Sequence, residues 1–281
     1  MSTEEERPFK KDTTDYAFAS VHGRLAQFKT WGNQGQDWQK HWERRPLDKL
    51  LAAFAGGRLG EMEKLVPHLP QDGPILEAGC GLGQLVYALD ERGFDIEGVD
   101  YAADTVAAVQ KAAPHLKLRV GDVYKLDVAD GHYAGYISIG VFEHQIESPA
   151  DGLRETRRVL RSGGVACIAL PHLNQERARW LKKVPVVEPG ARHRGFDFYQ
   201  YYYSEAEIRD HLAAAGLELI QMDYYGLYAG LTRDFLLGRH LNRKGLYFDR
   251  VRRLVGKTCL AAPRAVHRAH AHMALYVCRA V

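Results

Sequence analysis

The chain has 281 residues, 46% hydrophobic and 26% charged, with 38 Lys and Arg against 35 Asp and Glu. A chain this long buries about 75% of its unfolded surface, enough for one large α/β domain or a domain with a cap, so disorder is not the default. The net charge of +3 hides a split, since residues 226–281 carry +9 and the remainder −6; an acidic ligand, a lipid surface, nucleic acid or a solvated basic face would each fit such a basic end.

The segment Met1-Ser-Thr-Glu-Glu-Glu-Arg-Pro is acidic and has no apolar core, so no secretory signal is expected. The longest apolar stretches, Leu50 to Gly57 and Val165 to Leu170, fall well short of the roughly 18 residues of a membrane-spanning helix. Cys80, Cys167, Cys259 and Cys278 are widely spaced without a Cys-x-x-Cys pair, which fits reduced thiols in a cytoplasm.

Within the first 45 residues, Trp31, Trp38 and Trp42 sit among polar residues, and such tryptophans dock a segment onto its own domain or close a ligand cavity as a lid. Helical spacing begins with Leu47, Leu50, Leu51 and Phe54 and resumes with Met62, Leu65 and Val66, ended by Pro67 and Pro70. Strands and helices then alternate. Strands are expected at Pro74–Ala78, Asp95–Val99, Leu116–Val120, Tyr133–Ile139 and Val165–Leu170, with helices at Leu82–Glu91, Ala103–Ala113 and Asp151–Leu160. Arg161-Ser-Gly-Gly reads as a helix stop. Ser204 opens a helix through Ala215 with capping-box spacing to Glu207, Gly216 ends it, and strands follow at Leu217–Tyr225 and in the last nine residues. This alternation predicts a mostly parallel sheet covered by helices on both faces.

The segment Glu77-Ala-Gly79-Cys-Gly81-Leu-Gly83-Gln84 stands where the first of these strands meets its helix, at the carboxyl edge where open parallel sheets bind ligands. A dinucleotide fingerprint would place its third glycine at Gln84, so the spacing here is different. Asp100 ends the next strand, 21 residues after Gly79, in a position suited to a ribose diol. Gly121-Asp122-Val123 ends the third strand, where a carboxylate can accept from an exocyclic amine, and Gly140-Val-Phe-Glu143-His144 ends the fourth.

Residues 74–170 resemble the class I S-adenosylmethionine-dependent methyltransferases, in particular the type 11/12-like small-molecule group whose fourth strand ends in Glu-His and whose next helix ends in Leu-x-x-Gly-Gly. The resemblance extends through Ser204 to Gly226 and to the last strand. It implies a Rossmann-like seven-stranded sheet with the last strand antiparallel, and S-adenosylmethionine as cofactor with S-adenosylhomocysteine as product. It also implies that Glu77, Gly79 and Gly81 form the methionine-side turn, Asp100 holds the ribose hydroxyls and Tyr101 lies against the adenine. Asp122 and Val123 would contact the adenine edge, and Gly140 would offer its carbonyl to the methionine ammonium.

Methyl transfer from a sulfonium needs an acceptor lone pair held in line, and a base only where the acceptor proton has a high pKa. His144, His172 and Glu143, all after strands at the carboxyl edge, are the expected bases. The fourth strand lacks the Asn-Pro-Pro-Tyr ending of nucleobase methyltransferases. Six of the eight residues from Phe196 to Tyr203 are aromatic, and this run, with Arg194, Tyr199, Tyr203, Trp38 and Trp42, is expected to meet the acceptor. Arg250, Arg252, Arg253 and Lys257 lie with Leu246, Phe248, Val251, Leu254 and Val255 on an amphipathic basic stretch, which would cover a sheet edge, bind an anionic substrate or touch a membrane surface. His267, His270 and His272 have no carboxylate or Cys at ligand spacing, so no metal is expected.

The expected organisation is an N-terminal lid (1–48), a methyltransferase core (49–225), a basic helical cap (226–270) and a final strand (271–281). The expected activity is methylation of a small acidic or amphipathic acceptor. An RNA methyltransferase and a non-catalytic cofactor-binding partner subunit are the alternatives.

Overall fold

The structure, a computed structural model, describes residues 16–29, 47–234, 255 and 258–281. The tryptophans at 31, 38 and 42 and the basic residues at 250, 252, 253 and 257 lie outside the described residues. The chain divides into two compact units: residues 33–170, 205–223 and 274–281 form the larger, and 1–32, 171–204 and 224–273 the smaller.

The larger unit is built on a seven-stranded sheet. Its strands are β3 (Ile75–Ala78), β4 (Ile96–Asp100), β5 (Lys117–Val120), β6 (Tyr133–Ile139), β7 (Leu160–Pro171), β9 (Leu217–Tyr225) and β10 (Met273–Ala280), in the order β5-β4-β3-β6-β7-β10-β9. The pairs β3–β4, β3–β6, β4–β5 and β6–β7 are parallel. The central strands are apolar on both faces, with Ile75, Leu76, Val99, Ile137 and Ile168 buried, the pattern of a parallel sheet covered on both sides. Flanking helices are α1 (Leu47–Phe54), α2 (Gln84–Asp90), α3 (Ala103–Ala112), α4 (Ala150–Val159) and α6 (Glu205–Ala214).

Three local expectations are corrected. The helical run at Met62 to Val66 is two 3-10 turns, Gly60–Lys64 and Val66–His68, because Pro67 lacks the N–H that an α-helix would need there. Strand β7 begins at Leu160, so Arg161-Ser-Gly-Gly lies within it as an irregularity: Tyr133 pairs with Leu160 but Gly135 already with Val165. Helix α2 starts two residues later than expected because Gly83 at its N-cap is left-handed.

The smaller unit carries a three-stranded sheet ordered β1-β2-β8, from β1 (Tyr16–Val21), β2 (Arg24–Lys29) and β8 (Asp197–Tyr202). Both pairs are antiparallel. The first two strands close on His22 (φ 51°) and Gly23 (φ 75°), the two positive φ values of a type I′ turn, whose twist matches a hairpin. Leu25, Trp180 and Tyr202 form its core, joined by Phe18, Leu173, Leu181 and Val184. Its helices α5 (Gln175–Leu181), α7 (Leu227–Asp234) and α8 (Arg264–His270) complete the described elements.

Candidate functional site

Strand β3 ends in a run of left-handed glycines, Gly79 (φ 78°), Gly81 (φ 51°) and Gly83 (φ 66°). A side chain at Gly79 would also run into Val141, just beyond β6, so the turn and the fourth strand end are packed without room for a Cβ. The N–H groups of Gly79 and Cys80 both donate to the Val99 carbonyl, at 2.8 and 3.0 Å, and tie the turn to β4. Gly98, inside β4, permits this, because a Cβ there would stand 2.6 Å from Leu118 and 2.8 Å from the Cys80 sulfur.

Asp100, the last residue of β4, is buried, and its carboxylate receives the Gly81 N–H on Oδ2 (2.8 Å) and the Ala102 N–H on Oδ1 (2.9 Å). Burial pushes this carboxyl up, against those backbone donors. The Tyr101 N–H is a third backbone donor to it, and a carboxylate's four lone-pair sites leave room for one further donor such as a ribose hydroxyl. Glu77, buried behind the turn, accepts the Val86 N–H of α2 at 3.2 Å, and burial followed by the Asp100 charge pushes it up to about 8. Tyr101 is 46% exposed beside Asp100.

The neighbouring strand ends join the same edge of the sheet. The Gly121 N–H donates to the Asp100 carbonyl at 3.0 Å. Asp122 is exposed and caps the Tyr124 N–H at 2.9 Å, while Val123 is buried. Gly140 (φ 70°) donates its N–H to Ala169 at 3.0 Å. A single 3-10 turn, Phe142–His144, then turns Glu143 inward, leaving it 3% exposed with Oε1 3.9 Å from His144 Nε2. Burial pushes Glu143 up to about 8, and its Oε2 is enclosed with no donor. Beside this edge, Tyr124, Gln145, Asp151, Arg154, Glu155 and Arg158 line an open cavity of about 370 Å³. Its charges pair among themselves, Arg154 with Asp151 and Arg158 with Glu155 at 2.7 Å.

Glu77, Gly79, Gly81, Asp100, Tyr101, Asp122, Val123, Gly140, Glu143 and His144 all belong to the larger unit, on successive strand ends; His172, Arg194, Tyr199 and Tyr203 belong to the smaller. His172 Nε2 donates to the Arg268 carbonyl at 2.9 Å, and its ring lies 5.3 Å from that of Tyr224. Arg194 (φ 52°) and Gly195 (φ 80°) form an exposed two-residue turn between His193 and Phe196. Lys29 lies 3.4 Å over the ring of half-buried Tyr199, and Arg24 lies over both Tyr201 and Tyr203. Three residues that shape the site were not singled out from sequence: Val141, Gly98 and Cys80. Of these only Gly98 left a signal, a glycine inside a strand, which marks a close approach.

The residues fit a nucleoside-bearing cation: a buried strand-end carboxylate at Asp100 with an acceptor site to spare, a glycine turn with no space for side chains, and an unmatched buried carboxyl oxygen at Glu143. With the strand order β5-β4-β3-β6-β7-β10-β9, they resemble a domain of the class I S-adenosylmethionine-dependent methyltransferases. A family model described as a methyltransferase domain matches residues 76–168. A probable S-adenosylmethionine-dependent methyltransferase of Mycolicibacterium smegmatis is 28% identical over 166 residues, 59% of each chain. A demethylmenaquinone methyltransferase of Beutenbergia cavernae is 30% identical over 129 residues, 46% of each. The chain thus spans about three fifths or less of the length of these relatives. Among solved structures, an S-adenosylmethionine-dependent methyltransferase of Methanosarcina mazei aligns with a TM-score of 0.55 at 15% identity, covering 78% of this chain and 97% of that one. Geranyl diphosphate C-methyltransferase of Streptomyces coelicolor aligns at 0.54 and 16%, covering 88% and 98%. At these identities the solved structures speak for the fold.

Proposed function

We propose that this chain transfers a methyl group from S-adenosylmethionine to a small acidic or amphipathic molecule. The observation that carries the reading is Asp100, buried at the strand end, fixed by the backbone of Gly81, Tyr101 and Ala102, and with room for one more donor. When bound, S-adenosylmethionine supplies a methyl group on a sulfonium, which an acceptor lone pair displaces. Asp100 would fix the ribose, and the Gly79–Gly83 turn would let the backbone approach the methionine end. Tyr101 would flank the adenine, Asp122 and Val123 would meet its edge, and the Gly140 carbonyl would take part in binding the amino-acid end. Orientation is then the larger part of catalysis.

Where the acceptor carries a proton that must leave, His144 on this strand edge is the base we propose; His172 already commits its Nε2–H to Arg268. On the acceptor side, Arg194 stands exposed and Lys29 lies on the half-buried ring of Tyr199, whereas Tyr203, 1% exposed, is closed to a ligand. A cation-bearing aromatic face such as that of Tyr199 suits anionic amphipaths. A reducing cytoplasm is the compartment we propose, since Cys80, Cys167, Cys259 and Cys278 are buried free thiols. Among the described residues no helix is long and apolar enough to cross a membrane.

Titration calorimetry with S-adenosylhomocysteine on the wild type and Asp100→Ala tests the cofactor: micromolar binding that the substitution abolishes is expected, and no binding to the wild type would sink it. A methyl-transfer screen over anionic, phenolic and amine metabolites then identifies the acceptor. Turnover of RNA alone, with steep salt dependence, would replace the small-molecule reading.

A further inference from the structure

Among the described residues, Glu143 is the acidic side chain with a buried oxygen that no donor reaches. Its Oε1 lies against Gly140, 3.3 Å from where a Cβ would stand, and 3.9 Å from His144 Nε2. Tyr124, from the loop after β5, feels its charge; behind Tyr124 stand Tyr136 of β6, Asp122 and Asp151 of α4. Glu77 of β3 belongs to the same unit. Apart from the His144 imidazole, every one of these groups is an acid, and none neutralises a carboxylate. A buried carboxylate with an unmatched oxygen is costly and takes up a proton instead, which agrees with its rise to about 8, burial outweighing the hydrogen bond from its own backbone N–H.

An unmatched acceptor calls for a donor, and Glu143 stands at the edge of the sheet where ligands bind. Of the two cations of S-adenosylmethionine, the ammonium has N–H donors and the sulfonium has none. We infer that Glu143 is the counter-ion of the cofactor's ammonium group, and that binding expels the Glu143 proton to solvent. The O–H bond of the carboxylic acid breaks, the proton passes to buffer, and the carboxylate oxygen accepts an N–H of the ammonium. The inference rests on the S-adenosylmethionine reading above. Its consequence is a cofactor affinity set by pH: between pH ~5.5 and ~7.5, each unit of acidification weakens binding about tenfold, because each binding event must release about one proton.

S-Adenosylhomocysteine is the probe, since it keeps the ammonium and lacks the sulfonium. Its binding is measured by calorimetry at pH 7 in phosphate and in Tris, whose ionisation enthalpies differ, so that the heat difference counts protons. The wild type is expected to release about one proton, and Glu143→Gln none, with an affinity flat in pH. A deaminated S-adenosylhomocysteine on the wild type is expected to release none, which guards against a variant that fails to fold. Release by Glu143→Gln equal to that of the wild type would assign the proton to Glu77 or His144 and overturn the inference. Release on binding the deaminated analogue would overturn it too, assigning the oxygen another donor. No binding of S-adenosylhomocysteine to the wild type would instead remove the cofactor reading and this inference together.

Discussion

Gly79 combines two constraints that a side chain would violate separately: a left-handed φ of 78° and contact with Val141. Gly79→Ala is expected to lower stability by about 2–4 kcal/mol, the sum of left-handed strain and overpacking. Adding Val141→Ala should recover the packing part and leave the strain, and urea denaturation of the three variants separates the two. Asp100→Asn keeps the shape of the side chain but turns an N–H₂ toward either the Gly81 or the Ala102 N–H. Losing one hydrogen bond to a charged group costs about 1.5–3 kcal/mol, so stability should fall by that amount in urea denaturation, and cofactor affinity should fall by calorimetry. Asp100 was legible in the sequence because strand end and spacing mark it. The unmatched oxygen of Glu143 was not, since its burial is a property of the packed chain.

At the scale of elements, the smaller unit shows what periodicity conceals. Phe196 to Tyr203 reads as an aromatic wall, yet it is a strand whose two faces are both occupied: Tyr202 donates to Gln27 Oε1 at 2.9 Å on one, and Tyr201 lies under Arg24 on the other. Its partner β2 has Ala26 and Gln27 among its apolar residues, which blurs the alternation that would have revealed it. Tyr202→Phe should cost about 1–3 kcal/mol, read by thermal denaturation, because Gln27 is buried and loses its donor. The Arg194–Gly195 turn makes the opposite prediction. Arg194→Gly relieves a left-handed non-glycine residue and should raise stability by a few tenths to 1 kcal/mol, while any loss of acceptor binding would appear only in KM.

Over the whole molecule, two buried carboxyls, Glu77 and Glu143, are raised to about 8 from an ordinary 4.5. The folded state therefore holds protons that the unfolded state has lost, so stability is full below pH 4.5 and falls as pH rises towards 8. Glu143→Gln copies the protonated form: it should gain about 1–3 kcal/mol over the wild type at pH 8 and show no gain at pH 4, by denaturant titration without cofactor. The seven-stranded sheet was legible almost strand by strand, because buried parallel strands and glycine turns are local signals. The three-stranded sheet was not, because its β2–β8 pairing joins Gln27 to Gln200 across most of the chain. That separation sets a clock on biosynthesis. At ~5–20 residues per second, β8 leaves the ribosome roughly ten to thirty seconds after the hairpin it must join. Throughout that wait the nascent chain carries an open strand edge, so it is during translation, more than in the finished protein, that this molecule needs a chaperone.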